Sequence, residues 1–540
     1  MKPLPTLLAA AALAVPASLS AQSAAAPAAR ITAREIDAHL RFLSSDLLEG
    51  RAPATRGGRI AAEYIASQLL SAGVEPGVKG SFFQPVPIDI VGADPATIRV
   101  GATGKAQGAL RYPEDVVVWA GSATASSAAR GELVFVGYGA AAPEYTWNDF
   151  KDADLKGKVL LVLVNDPPAP ANEPALFGGR AMTYYGRWTY KFEEAERRGA
   201  AGMLIVHTTE RAGYPWHTVV GLWAKEQRRL PRDSTLAAPL GVRGWITDSA
   251  ATALLGRAGL DLAALRRQAE SRDFRPVPTG IMIDASFSNT VEHLQSENVV
   301  GVVTGADPRL HHEYVAFSAH WDHLGIGPAV DGDSIYNGAY DNASGVAALL
   351  AAARQAVASP RPRRSLLFVF VTAEESGLLG SAWYAQNPTV PIRSIVANVN
   401  VDEASVLGRF RSLEVLGERK STLGPLLARY VAPQGLRLAP EAKPEAGSFY
   451  RSDHFSFAKA GVPAVSVKQG NDYTGRAKTW GAEQDEDYIA HRYHQPADAY
   501  RADFDLRGAV QLAQIVLGFG TRLANTAAVP AWNADAEFHR

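Results

Sequence analysis

His320, Asp322, Asp341, Glu374, Glu375, Asp402 and His494 are the side chains of this sequence whose types and order could do chemistry. A two-metal hydrolytic site holds its ions roughly 3.5 to 4 Å apart; it needs a bridging carboxylate, further imidazole and carboxylate ligands, and a separate base for the attacking water. All of those groups are present. Taken singly, each reads more readily as structural, since a Glu-Glu pair after a strand is usually a solvated loop and a buried Asp is usually a cap. Their joint occurrence points to metal chemistry.

The elements that must position them are also legible. His320 follows the apolar run 314–317, Glu374 and Glu375 follow 366–371, and Asp402 ends 395–401. Each run predicts a buried parallel strand followed by a helical pattern. The candidate ligands therefore fall at strand ends, where open α/β sheets bind ligands. Asp341 precedes the Ala/Leu-rich segment 346–357 and is expected to open a helix.

In this order the motifs His320-Trp321-Asp322, Asp341-Asn342-Ala343-Ser344-Gly345, Glu374-Glu375, Asn400-Val401-Asp402 and Tyr493-His494-Gln495-Pro496-Ala497-Asp498 resemble those of the M28 zinc aminopeptidases. The resemblance implies two zinc ions per chain. Asp341 would bridge them, His320 and Asp402 would complete one site, and Glu375 and His494 the other. It implies Glu374 as general base and Asp322 as the carboxylate that orients His320, and it favours His494 over His491 as a ligand. It also implies a cis peptide between Asp341 and Asn342. Tyr450 and Arg451 lie in a segment similar to the one that carries substrate-carbonyl donors in the family, so either could stabilise the oxyanion. Asp402 and Glu403 would hold the substrate's free amino terminus. The family often has Met at the position of Val401 and an apolar residue at that of Glu403, so the pocket departs from the pattern there. His323 is expected to pack behind the site and His454 to be a core or pocket histidine.

The chain has 540 residues, 47% hydrophobic and 20% charged, with a net charge of −1 and no cysteine. That length predicts more than one folded unit. The charge balance offers no footprint for nucleic acid, and a metal site must use nitrogen and oxygen donors. Lys2, the apolar stretch 7–19 and the small residues Ser20 and Ala21 read as a signal peptide over residues 1–21. The mature protein is therefore expected to be exported, periplasmic or extracellular, with no membrane insertion after signal removal.

The expected fold is α/β: a mixed, largely parallel sheet flanked by helices, of the zinc-exopeptidase (phosphorylase/hydrolase-like) type, with an inserted β-rich domain. Its first part spans 31–125, with strands to about Trp119 starting the sheet. Residues 131–281 resemble a protease-associated domain, and the metallopeptidase domain resumes over 286–527. The expected activity is removal of N-terminal residues from peptides. Carboxypeptidases and one-metal glutaminyl cyclases share the fold, and the complete ligand set argues against the second but not the first. A non-catalytic peptide-binding homologue would be expected to have lost a ligand or Glu374.

Overall fold

Runs of Val, Leu, Ile and Phe with no polar alternation cannot leave one face in water, so they demand cover on both sides. Ser365–Val371 is such a run beyond its first residue, and Tyr314–His320, Ile395–Asn400 and Ala464–Gln469 are likewise buried on both faces, with polar residues such as Ser318, Asn398 and Ser466 buried among the apolar ones. A computed structural model describes residues 30–232 and 237–539; the expected signal peptide lies outside them. Ser365–Val371 and Ile395–Asn400 run parallel on either side of Tyr314–His320, and Ala464–Gln469 lies parallel beyond Ile395–Asn400. Antiparallel strands flank this centre, with Val277–Val303 on Ser365–Val371 and Ser412–Leu416 on Ala464–Gln469. His320 pairs with Val371, and Ser318 with Asn400. Whatever follows those strands therefore emerges side by side on one edge of the sheet.

Helices Ala33–Leu43, Arg56–Ser71, Ser344–Val357 and Arg507–Asn525 cover one face, where Leu40, Ile65, Leu349 and Val516 pack with Phe317, Phe368 and Val399. The first two are capped by Thr32, which accepts from Glu35 N, and by Thr55, which accepts from Gly58 N. On the other face Ala316, Leu367 and Ile395 are covered by Tyr384 and Phe457, and also by Tyr184 and Tyr190 from the inserted region.

A second sheet holds Val116–Ala120, Ser126–Phe135, Val159–Leu163, Gly202–His207 and Val242–Thr247. Arg99–Gly104 reaches it through the first half of Val277–Val303. Hydrogen bonding thus groups 99–104 and 116–120, expected in the first sheet, with the inserted region. The strand Val277–Val303 is continuous across the expected boundary at 281–286: it pairs with the second sheet up to Ser288 and with the first from Asn289. Among the described residues no helix is long and apolar enough to cross a membrane.

Candidate metal centre

His320 closes its strand, and its ring is oriented locally: Nδ1 lies 3.2 Å from the backbone carbonyl oxygen of Asp322. A proton on Nδ1 donated to that carbonyl leaves the Nε2 lone pair facing the cleft. Nε2 stands 3.2 Å from Asp341 Oδ1 and 3.1 Å from Asp402 Oδ1. Across Asp341, His494 Nε2 is 3.3 Å from Asp341 Oδ2 and 3.0 Å from Glu375 Oε2. Asp341 therefore presents one oxygen to each histidine, with Asp402 on one flank and Glu375 on the other. One ligand atom from each of His320, Asp341 and Glu375 falls within 4.8 Å of the others.

The turn that aims Asp341 is held from several sides. Asp498 accepts the N–H groups of Tyr340 and Asp341, each at 3.0 Å, and the Asp341–Asn342 peptide is cis. The Asn342 amide donates to Val401 O and accepts from Gly345 N and Glu403 N, so it ties the turn to the strand end that carries Asp402. Asn342-Ala343-Ser344 fits the pattern of an N-glycosylation acceptor, but with its amide so engaged and fully buried Asn342 cannot serve as one. Gly338 is required: its φ is +53°, and a Cβ there would lie 2.2 Å from the Asp341 carbonyl oxygen. Beneath the site the buried Arg51 guanidinium donates to the carbonyls of Leu43, Trp321, Asn337 and Gly338. Ala373, Glu403 and His494 all adopt positive φ. Left-handed backbone at non-glycine residues is uncommon and clusters at functional sites.

The adjacent glutamates differ in environment. Glu375 is pinned by His494 on Oε2 and by His323 Nδ1 on Oε1 at 2.7 Å. The Glu374 side chain has no hydrogen-bond partner among the described residues, while its backbone N–H donates to Asp322 Oδ1 at 3.1 Å. Asp322 thereby holds the turn that carries Glu374. Its carboxylate stands 3.9 Å from His320 Nδ1, beyond hydrogen-bond reach, so its carbonyl oxygen orients the ring instead. Asp402 is fixed by the Ser452 hydroxyl, which donates to Oδ2 at 2.7 Å.

The electrostatics describe a buried excess of carboxylate. Burial opposes charge on His320, yet Asp402 and Glu374 hold it well above the usual imidazole range. His494 is likewise opposed by burial and raised, chiefly by Glu375, to about 10. Burial and Asp341 push Glu375 upward, but His323 and His494 outweigh them and bring it to about 2. Burial pushes the Glu374 carboxyl well above the carboxylate range, against His320. Such a cluster calls for positive charge at its centre, and a divalent cation meets that demand without protonating its ligands. Imidazole and carboxylate donors suit zinc, so the residues fit the ion.

Of the expected substrate groups, Glu403 lies beside the cluster, with its carboxylate 3.6 Å from Lys468 Nζ. Burial raises it to about 8, opposed by Lys468 and reinforced by Asp341 and Asp402. Tyr450 is a correction: its hydroxyl is buried, donates to Glu537 Oε1 at 2.6 Å and accepts from Lys420 Nζ at 3.0 Å. The C-terminal segment has claimed the group expected at the oxyanion. Arg451 is exposed next to Ser452. Sequence reasoning missed Arg51, Asp498 and the contact from His323 to Glu375. Asp498 closes the motif Tyr493-His494-Gln495-Pro496-Ala497-Asp498, and a charged residue there was the available signal; His323 was expected only to pack behind the site, with no local pattern naming its partner.

Residues 298–520 match the model of Peptidase family M28. "Probable lipoprotein aminopeptidase LpqL" of Mycobacterium tuberculosis is 26% identical over 240 residues, 41% of this chain and 43% of that protein. "Leupeptin-inactivating enzyme 1" of Streptomyces exfoliatus is 28% identical over 207 residues, 36% of this chain and 43% of that protein. The chain thus spans less than half the length of these curated relatives. Among solved structures, an aminopeptidase from Aneurinibacillus sp. strain AM-1 is 19% identical with a TM-score of 0.48, covering 92% of this chain and 94% of that one.

Proposed function

We propose that this chain, a member of peptidase family M28 through residues 298–520, is an exported zinc aminopeptidase that removes N-terminal residues from peptides with two zinc ions per chain. His320 and Asp402 would hold one ion, Glu375 and His494 the other, and Asp341 would serve both. Zinc in such a site supplies a Lewis acid for the scissile carbonyl and lowers the pKa of water to near 7. Glu374 takes the proton of the attacking water and returns it to the leaving amine, a transfer that a positioned carboxylate accelerates roughly 10² to 10⁴-fold. Asp402 and Glu403 offer negative charge to the substrate ammonium. The apolar stretch 7–19 supports export.

The observation that carries this reading is the division of labour at 374–375. Glu375 is locked between two histidines, whereas Glu374 keeps an unpartnered carboxylate beside the same cluster. A ligand needs the first arrangement and a base needs the second. The test is a panel of peptides carrying a reporter at the amino or the carboxy terminus, assayed before and after chelation and again after zinc is returned. Amino-terminal release that is lost on chelation and restored by zinc is expected. Carboxy-terminal release, or activity indifferent to chelation, would reject the reading.

A further inference from the structure

Arg187 and Arg451 come from the two halves of the molecule and are brought together by docking. Arg187 directly follows the turn Tyr184–Gly186 and precedes helix Trp188–Arg197. Asp166 fixes that turn by accepting Thr183 N and Oγ1, both at 2.7 Å. The Tyr184 ring lies 5.9 Å from Tyr450 and 5.1 Å from Phe455, and Met182 N donates to Pro444 O at 3.0 Å. The turn with Arg187 is thereby seated on the loop that carries Arg451. Arg451 in turn precedes Ser452, the residue bonded to Asp402. Its charge is felt at Tyr493, whose ring stacks on His494 at 3.9 Å.

Neither guanidinium makes a hydrogen bond or ion pair among the described residues, and Arg187 Nε is buried without a partner. Nearby arginines do not share this state, since Arg197 and Arg198 are both paired with Glu194. Burial, and then the charge of Arg451, bring the Arg187 guanidinium down to about 10. The charge of Arg451 acts on the partnerless Arg187 guanidinium, and a carboxylate that accepts from both removes that repulsion. The substrate ammonium cannot be what they receive, because like charges repel. It belongs with Asp402 and Glu403.

We infer that Arg187 and Arg451 form a carboxylate receptor on the leaving-group side of the scissile bond, built jointly by the inserted region and the catalytic domain, and that it takes the C-terminal carboxylate of a short peptide. This assignment rests on the aminopeptidase reading and gives the inserted region a part in choosing substrates. It replaces the expected oxyanion role of Arg451.

The experiment compares kcat/KM for Leu-Gly-Gly, its C-terminal amide and the amide of Leu-Glu-Gly, with the zinc-loaded wild type and with Arg187→Met, Arg187→Lys and Arg451→Met. Zinc content and circular dichroism establish that each variant is folded. The wild type is expected to favour the free carboxylate over the amide by roughly tenfold or more, as charge-paired recognition predicts. Each Met variant should collapse that ratio toward one, mainly through KM, and Arg187→Lys should retain part of it. No wild-type preference, or a ratio that survives both Met variants, overturns the inference. A preference for the Leu-Glu-Gly amide over the Leu-Gly-Gly amide that the Met variants abolish would assign the receptor to an acidic side chain and overturn the C-terminal assignment. If no peptide is cleaved at its amino terminus, the aminopeptidase reading itself has failed, and the inference fails with it.

Discussion

Glu374 and Glu375 leave the same strand end, and only their partners separate the proposed base from the proposed ligand. Replacing Glu374 by Gln keeps the size of the side chain and removes its ability to accept a proton, so turnover is expected to fall roughly 10² to 10⁴-fold with metal content unchanged. Glu375→Gln puts the loss on a ligand, and metal and activity should fall together. Metal analysis beside kinetics on both proteins decides this: equal metal loss in the two would reverse the assignment. His323 donates to Glu375 from behind. Groups that orient a ligand typically change metal affinity by about 10 to 100-fold when removed. His323→Ala should therefore weaken zinc binding by that order in a chelator competition, with kcat at saturating zinc much less affected; unchanged affinity would show that the contact is incidental.

At the scale of elements, the site is a set of strand ends joined by turns whose backbones are tied to buried side chains. Arg51 is the main tie, because one guanidinium serves the carbonyls of residues that flank both His320 and Asp341. Arg51→Met would leave the Trp321 and Asn337 carbonyls buried and unpaired, at about 1 to 3 kcal/mol each, while Gly338 O keeps Ala343 N as a donor. We expect a large drop in unfolding midpoint together with loss of zinc, measured by denaturant titration and metal analysis; a stable, fully loaded variant would contradict it. The strand ends themselves were legible, because each apolar run stops abruptly before its acidic or imidazole residue. The continuous strand Val277–Val303 was not. Its polar middle, 288–298, resembles a linker, and it becomes strand only because Phe83–Ala93 pairs with it.

For the whole molecule, the inserted region and the C-terminal segment share one aromatic cluster with the catalytic sheet. Phe538 sits 6.3 Å from Tyr184, 6.0 Å from Phe449 and 5.4 Å from Trp532. Phe538→Ala should cost about 3 kcal/mol, as for other buried Phe truncations, and lower the thermal midpoint; an unchanged midpoint would mean that this segment does not hold the halves together. Acid stability is a second property of the whole. His454 is fully buried, with neither ring nitrogen partnered, and burial lowers it to about 3. Its folded value lies below the unfolded one near 6.5, so the unfolded chain binds the extra proton first as pH falls. The contribution is present above about pH 6.5 and is lost at about 1.4 kcal/mol per pH unit below it. His454→Leu should flatten the stability profile between pH 6.5 and 4, and a profile that keeps its slope would assign acid sensitivity elsewhere.

The sequence alone located the candidate ligands and the sheet that presents them. Residue type limits which atoms can bind a metal, and hydrophobic runs that end in polar residues limit where strands stop; both are local properties. Tertiary structure decided which glutamate is held and which is free, that the carbonyl of Asp322 and not its carboxylate orients His320, and that Tyr450 is taken by Glu537. It also decided that Arg187 lies within reach of the charge of Arg451. Those outcomes depend on hydrogen bonds and charges between residues tens to hundreds of positions apart. No local pattern encodes such partners, because they exist only once the two sheets have packed.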